Sequence, residues 1–428
     1  MINLKLFRKD PEFCREALLR KGVDEQVLNQ LQELDLLCRN DTSDLNLLQQ
    51  MLNERSKQIS AAENKEILKK EAKELSSKIK NLKGCLEANE KRRKDLLLSL
   101  PNLPLDTVPR GKSETDNVVV GEWGFKPHSP TFPLLDHLQI ADNLGLLDFE
   151  RGAKIAGHGF PVWKGWGARL ERALISFMLD THTLGREPGA NYEEILPPLL
   201  VNRDATTGTG QLPKSEEDMY HTAKDDLFLI PTAEVPVTNL HREEILSHKD
   251  LPIKYAAYSP CFRREAGGHG KKTRGFLRVH QFNKVELVQI IQNHETASLD
   301  ALANICNSAE SILQKLGLHY RVIELCDADL SFAAAKCFDI EVWAPAEGRY
   351  LEASSCSAFL DFQARRMNLR YRDQNGKVHF CHTLNGSGLA TSRVLVAILE
   401  TYQTPEGNLR VPDALVPYLQ THLITPKV

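Results

Sequence analysis

Between Gly22 and Pro101 the chain carries no proline and a single glycine, Gly84. So long a stretch without breakers favours continuous helix. Its apolar residues step by three and four: Val27, Leu31, Leu34 and Cys38, then Leu45, Leu48 and Leu52, with Ile59 one heptad on. After the polar break "SAAENKE" a second series follows: Leu68, Leu75, Ile79, Leu82 and Leu86. That spacing draws one stripe along a helix. Two stripes across a short polar break predict an antiparallel helical hairpin, each limb of roughly 30 residues extending roughly 45 Å. "SLPNLPLDTVP" ends it, because proline cannot continue a helix.

The hairpin's remaining faces are rich in lysine. Lys65, Lys69, Lys70, Lys73, Lys78, Lys80 and Lys83 are followed by Lys91, Arg92, Arg93 and Lys94. Glu63, Glu66, Glu71, Glu74 and Glu87 offset them only in part. Charge of this kind suits a solvated coiled coil, or a surface that binds a phosphate backbone through counterion release. The stripe alone does not choose between the two. Net charge is only -3, so contact with nucleic acid would have to be local.

From about Thr107 glycine and proline become frequent, and short β-branched or aromatic runs alternate with helical ones. "LFLIPTAEVPVTNLH", "IKYAAYSPCFRRE", "FLRVHQFNKVELVQI" and "FDIEVWAP" suggest strands or strand–turn pieces. "GARLERALISFMLDTHTL", "HETASLDALANICNSAESILQKLG" and "GLATSRVLVAILETYQ" suggest helices. The expected class is α+β, an antiparallel sheet flanked by helices, with one domain over 1–105 and a second over 106–428. Neither GxGxxG after a strand nor GxxxxGK[ST] occurs. Nine cysteines lie scattered without CxxC spacing, which suggests reduced thiols and a cytoplasmic setting. With neither an apolar leader nor a run of about 18 apolar residues, no membrane attachment is expected.

The segment with most chemistry is "CFRREAGGHGKKTRGFLRVHQFNKVELV", Cys261 to Val288. Arg263 and Arg264 offer planar forks of donors suited to carboxylate or phosphate. Gly267, Gly268 and Gly270 allow close approach of backbone to a ligand. Lys271, Lys272, Arg274 and Arg278 add positive charge, so a polyphosphate suits the loop; a charged hairpin turn with no ligand is the alternative. In "KVELV", alternation puts Val285 and Leu287 on one face and Lys284, Glu286 and Val288 on the other. An acid there could hold an ammonium or hydroxyl group, or form a structural salt bridge.

Three other segments could join this site. "PTAEV" places Thr232 and Glu234 in a strand context. "LEASSCSAF" sets Glu352 beside Ser354 and Ser355, oxygen donors of the kind that hold Mg²⁺ beside phosphates. "NGSGLATSR" puts Asn385 and Ser387 in a glycine turn opening a helix, with Arg393 on that helix; the simpler view is a turn and an N-cap. Two arginines, metal-type acids and a selective acid together suit activation of a carboxylate by ATP.

The hairpin, "TAEVPVTN", "FRREAG…TRGFLRVHQFNKVELV" and "EASSCSAFLDFQARRMNLRYR…HTLNGSGLATSRVLVAILE", in this order, resemble the seryl-tRNA synthetase family of class II aminoacyl-tRNA synthetases over nearly the whole chain. The resemblance implies an antiparallel catalytic sheet of six or seven strands and a homodimer built on the segment from Gly167 to Lys214. It implies ATP with Mg²⁺, L-serine, an aminoacyl-adenylate, and transfer to tRNA(Ser), with tRNA(Sec) added where a host has one. By position, Arg263 would bridge the α-phosphate and the serine carboxylate, and Arg393 would hold the far end of the triphosphate. Phe282 would stack on adenine, Val279 line its pocket, and Glu265 meet its amino group. Glu352 and Ser355 would hold Mg²⁺, with Arg264, Ala353 and Ser354 completing the ATP site. Thr232, Ala233 and Glu234 would meet the serine ammonium, and Glu286 and Ser387 serine itself.

On this resemblance the hairpin would contact tRNA, through Lys69, Lys73, Lys80 and Lys83. Arg264 stands where family members often carry a small polar residue, and Lys272 where an acid is frequent. Zinc is not expected; Cys326 is expected as a buried thiol. An amino-acid ligase acting on a carrier protein would lack the hairpin. A paralogue that only binds RNA would have lost Arg263, Glu352 or Arg393.

Overall fold

A computed structural model describes residues 1–61, 65–126, 132–185, 191–265 and 275–426. Two compact units divide the chain, Met1–Pro101 and Asn102–Val428. Glycines 267, 268 and 270, Lys271, Lys272 and Arg274 lie outside the described residues.

The first unit is the hairpin, α1 (Glu25–Ala61) against α2 (Glu66–Ser99). At its base Leu28, Leu31, Cys38, Leu86 and Leu97 are buried. Farther out Leu45, Leu48 and Leu52 are only half-buried, because two helices cover just one stripe of each other. Polar ties run between the limbs: Asn89 Nδ2 donates to Asp41 Oδ2 at 3.2 Å, and Arg55 Nε lies 3.2 Å from Glu71 Oε2.

Two short helices, Leu4–Lys9 and Pro11–Arg20, precede α1 and begin at Asn3 and Asp10, whose side chains cap them. The first is pinned through Asp35, which is 4% exposed. Arg8 grips its carboxylate with two donors at 2.7 and 2.6 Å, and Arg93 of α2 adds a third at 2.9 Å. One carboxylate thus ties three helices. Burial alone would raise its pKa, but the two guanidinium groups outweigh burial and hold it below the usual carboxylate range.

The second unit is built on an eight-stranded sheet. In chain order its strands are β1 (Val118–Trp123), β2 (Glu193–Glu194), β3 (Ile253–Phe262), β4 (Gln281–Ile291), β5 (Tyr320–Glu324), β6 (Lys336–Ala344), β7 (Arg349–Leu360) and β8 (His382–Ala390). Across the sheet they run β1-β5-β6-β7-β8-β4-β3-β2. Every neighbouring pair is antiparallel except the two-residue β2, which lies parallel to β3. The count exceeds the expected six or seven, and the sheet is not wholly antiparallel. The three longest described helices of this unit share its core: α3 (Trp166–Thr183), α4 (Glu295–Lys315) and α5 (Thr391–Thr401). Leu174, Ile305 and Leu395 from these helices meet Val285, Leu287, Ile340 and Leu384 from one face of the sheet.

Two local expectations are corrected. "NGSG" is not a turn opening a helix. Asn385 to Gly388 lie inside β8, and α5 starts only at Thr391. Neither Gly386 nor Gly388 has a positive φ. Their lack of a side chain serves packing: a Cβ on Gly386 would stand 2.2 Å from Ile305 Cγ2, and one on Gly388 2.7 Å from His182 Nε2. "PTAEV" is not a strand either. Glu234–Thr238 form a short helix, and Thr232 turns the chain into it, its Oγ1 accepting from Glu234 N at 3.2 Å. Val235 and Val237 are wholly buried there, so tertiary packing overrides their β preference. Among the described residues, no helix is long and apolar enough to cross a membrane.

Asp35→Ala should destabilise the hairpin unit by about 3 kcal/mol, because it leaves two guanidinium groups without their buried anion. A carboxylate whose folded pKa is depressed stabilises above its unfolded value of about 4 and loses that effect as pH falls through the lower folded value. The difference in thermal midpoint between wild type and variant, followed by circular dichroism, should therefore shrink below about pH 4.

Candidate active site

The antiparallel register of β4 sets the site. Glu286 stands opposite Ala257 of β3 and Ser387 of β8. Since Val285 and Leu287 go into the core, Lys284 and Glu286 emerge on the opposite face. There they line a cleft of about 780 Å³.

The cleft brings together Thr232, Glu234, Arg263, Glu265, Val279, Phe282, Glu286, Glu352, Ala353, Ser355, Ser387 and Arg393. Three expected residues lie outside its lining. Ala233 is wholly buried in a small apolar cluster with Val237 and Val288. Ser354 is buried, and its Oγ donates to the Ser387 carbonyl at 2.6 Å. Arg264 is exposed and donates its backbone N–H to the Asp218 carbonyl at 3.0 Å.

At one end of the cleft Arg263 leaves β3 with its guanidinium 5.2 Å from the Phe282 ring centroid, and its Nε donates to the Pro231 carbonyl at 3.3 Å. Glu265 follows at φ 53°, a left-handed turn that an acidic residue seldom takes. Its carboxylate is paired with Arg278. An aromatic face beside a cationic fork and a carboxylate suits a purine with an attached phosphate.

Arg393, in the first turn of α5, donates from Nη1 to the carbonyl of Glu352 in β7 at 2.7 Å and lies 3.3 Å from its Oε1. Asp339 of β6 stands opposite Ser355 of β7 and shares a hydrogen bond with it. Burial and the neighbouring Glu352 charge push the Asp339 carboxyl well above its usual range. Carboxylate and hydroxyl oxygens packed closely enough to repel suit a hard divalent cation such as Mg²⁺.

The deep end holds the opposing acids. Thr232 Oγ1 donates to Glu286 Oε2 at 2.7 Å, while Lys284 Nζ donates to Thr232 Oγ1 at 2.8 Å and pairs with Glu286. Glu234 accepts from Gln363 Nε2 at 2.6 Å, and Gln363 is held in turn by Thr383 at 2.7 Å. Burial, then the Glu286 charge, push the Glu234 carboxyl up to about 7, although Gln363, Lys284 and Arg263 pull the other way.

The match to known proteins is as close as the chemistry suggests. The chain is 50% identical to the serine–tRNA ligases of Akkermansia muciniphila, over the full length of both, and of Prosthecochloris aestuarii, over 98% of this chain and 97% of that one. The chain belongs to the seryl-tRNA synthetase family. Residues 1–104 match the seryl-tRNA synthetase N-terminal domain, and 217–402 the class II synthetase core domain for G, H, P, S and T. A crystal structure of seryl-tRNA synthetase from Pyrococcus horikoshii complexed with ATP superposes with a TM-score of 0.94 at 34% identity, covering both chains fully. A cytoplasmic serine–tRNA ligase from Naegleria fowleri in complex with AMP gives 0.89.

This family member has site residues that sequence reasoning passed over. Asp339 carried a faint signal, since "FDIEVW" alternates and sets Asp339 and Glu341 on one strand face. Lys284 shares the Glu286 face by alternation, with nothing in the sequence that marks its role. Gln363 had no local signal; only the fold brings it to Glu234, 129 positions away. The Cys326 thiol is buried and donates to the Ser113 carbonyl at 3.3 Å.

Glu234→Gln should be more stable than wild type at neutral pH and lose that advantage in acid. An acid with a raised folded pKa stabilises fully below its unfolded value, about 4.5, and loses that contribution as pH rises to about 7. The glutamine variant escapes this loss. Its gain in unfolding free energy, followed by denaturant melts, should grow between about pH 5 and 8, approaching on the order of 3 kcal/mol.

Proposed function

We propose that the cleft joins ATP and L-serine into seryl-adenylate with release of pyrophosphate. The seryl group then passes to the 3′ end of tRNA(Ser), and of tRNA(Sec) where a host has one. One observation carries this reading. A cationic fork on an aromatic face, an oxygen-donor cluster beside a second arginine, and a buried hydroxyl–carboxylate pair all open into one cleft. These suit the base and phosphates of ATP, and a small hydroxylated amino acid.

Each residue then has a physical task. Phe282 and Val279 hold adenine by stacking and apolar contact, while Glu265 accepts from its amino group. Arg263 draws the serine carboxylate and the α-phosphate together, so its charge acts where negative charge builds up during attack. Arg393 meets the far end of the triphosphate. Glu286 and Ser387 meet the serine hydroxyl, and Glu234 its ammonium, with Thr232 orienting the Glu286 carboxylate. A pocket built to hydrogen-bond a hydroxyl rejects alanine strongly, because its own groups are left unpaired. Glu352 and Ser355, with Asp339 against Ser355, would hold Mg²⁺. Such an ion, when bound, supplies positive charge and orientation to the phosphates. A rival that charges a carrier protein would have no use for the hairpin, which is present here.

Lys69, Lys73, Lys80 and Lys83 are exposed on α2. At 3.6 residues per turn they span roughly 80° of its surface, a stripe suited to the phosphates of tRNA. Exposed Leu184, Leu196, Leu199 and Leu200 fall in the segment expected to join two chains as a homodimer. A cytoplasmic enzyme acting on tRNA accords with these features.

Serine-dependent ATP–pyrophosphate exchange tests the activity; no exchange with any amino acid would refute it. Glu286→Ala should lower serine activation by about 10³-fold or more with the fold and ATP binding intact, and normal activation would remove Glu286 from the site. Replacing Lys69, Lys73, Lys80 and Lys83 together by alanine should cut tRNA charging about tenfold or more and flatten its salt dependence, with exchange unchanged. Charging at the wild-type rate would clear these lysines of a tRNA contact.

A further inference from the structure

Lys284 is 6% exposed and Glu286 1%. A buried ammonium and a buried carboxylate are each costly alone and tolerable together. Their contact with Thr232 is more specific than a salt bridge. Thr232 Oγ1 accepts from Lys284 Nζ at 2.8 Å and from Glu234 N at 3.2 Å. Both its acceptor directions are then used, and its one proton goes to Glu286 Oε2 at 2.7 Å. Lys284 therefore dictates where the Thr232 hydroxyl points and how the Glu286 carboxylate is held.

We propose that Lys284 is a positioning residue for serine recognition, fixing Thr232 and Glu286 in advance and supplying positive charge between the two facing acids. The proposal rests on the reading of this cleft as the serine site. Among the described residues, the charged and titratable groups facing Glu286 are few. Lys284 shares its strand, Glu234 comes from the short helix after Thr232, and Arg263 and the Cys261 thiol come from β3. Ser387 of β8 is neutral. Arg263 leans on Phe282 and has its own task at the phosphate. Without Lys284 the two acids would face each other with less positive charge, and the pair would hold its proton to higher pH than in wild type. A protonated pair is a poor partner for the serine ammonium. Serine binding would then weaken at neutral pH and recover as pH rises and the proton leaves.

The test is ATP–pyrophosphate exchange by the full chain, with KM for serine and for ATP measured from about pH 6.5 to 8.5. Lys284→Met should raise the serine KM about tenfold or more at pH 7, with kcat within about threefold and the ATP KM within about twofold. The elevated serine KM should fall toward wild type as pH rises, more steeply than the wild-type KM does. Lys284→Arg, which keeps the charge, should stay within about threefold of wild type. A serine KM within about twofold of wild type in Lys284→Met would overturn the proposal. So would a rise independent of pH and accompanied by an equal rise in the ATP KM, which marks a structural role alone. If Lys284→Met does not fold, Lys284→Gln against Lys284→Arg decides: a pH-dependent serine defect in the glutamine variant only supports the proposal, and equal behaviour overturns it. Failure of the wild-type chain to exchange with serine would refute the site assignment instead, before any variant is made.

Discussion

Everything in the second unit depends on the register of one strand. Gln281–Ile291 is paired along its length with Ile253–Phe262 on one side and His382–Ala390 on the other. Side chains along a strand alternate between faces, so a slip of one residue would send Lys284 and Glu286 into the apolar core and expose Val285 and Leu287. Both outcomes are prohibitive, one through buried unpaired charge and the other through lost apolar burial. The core thus selects the register, and the register places the acid. Folding and recognition are set by the same choice, which is why a glutamate in an apolar run is compatible with a stable sheet.

Much of this could be read directly from the chain. The absence of breakers before Pro101 and the spacing of its leucines are local facts, and α1 and α2 follow from them. Alternation in "KVELV" is equally local and put Glu286 and Val285 on opposite faces. What escaped depends on contacts between distant segments. Glycines 386 and 388 looked like punctuation because a missing side chain signals either a free backbone or a close neighbour, and composition does not tell these apart. The neighbours, Ile305 and His182, come from two other helices. Thr232 and Glu234 were given a strand because Val235 and Val237 favour one; their complete burial decided otherwise. The union of Lys284, Thr232 and Glu286 needed two segments some fifty positions apart to meet.

The two units handle buried charge in related ways. In the hairpin, Asp35 is surrounded by Arg8 and Arg93, so the anion has positive charge to spare and its carboxyl sits low. In the cleft, Glu234 and Glu286 stand close together with less positive charge at hand, and the Glu234 carboxyl is pushed up. The first arrangement serves only to hold helices together. The second leaves charge unbalanced, as expected of a surface that completes itself with a cationic substrate.

Gly386 and Gly388 face the helices, while Asn385 and Ser387, which alternate with them, line the cleft. The strand that floors the cleft is therefore pressed against α3 and α4 by bare backbone, with no side chain as cushion. Such a floor can neither sink to admit a bulkier guest nor rise to grip a smaller one without moving whole helices. Changes of specificity over evolutionary time would have to come from the cleft-facing positions alone. That leaves few single substitutions able to alter what the pocket accepts, and makes the lineage's choice of substrate hard to revise.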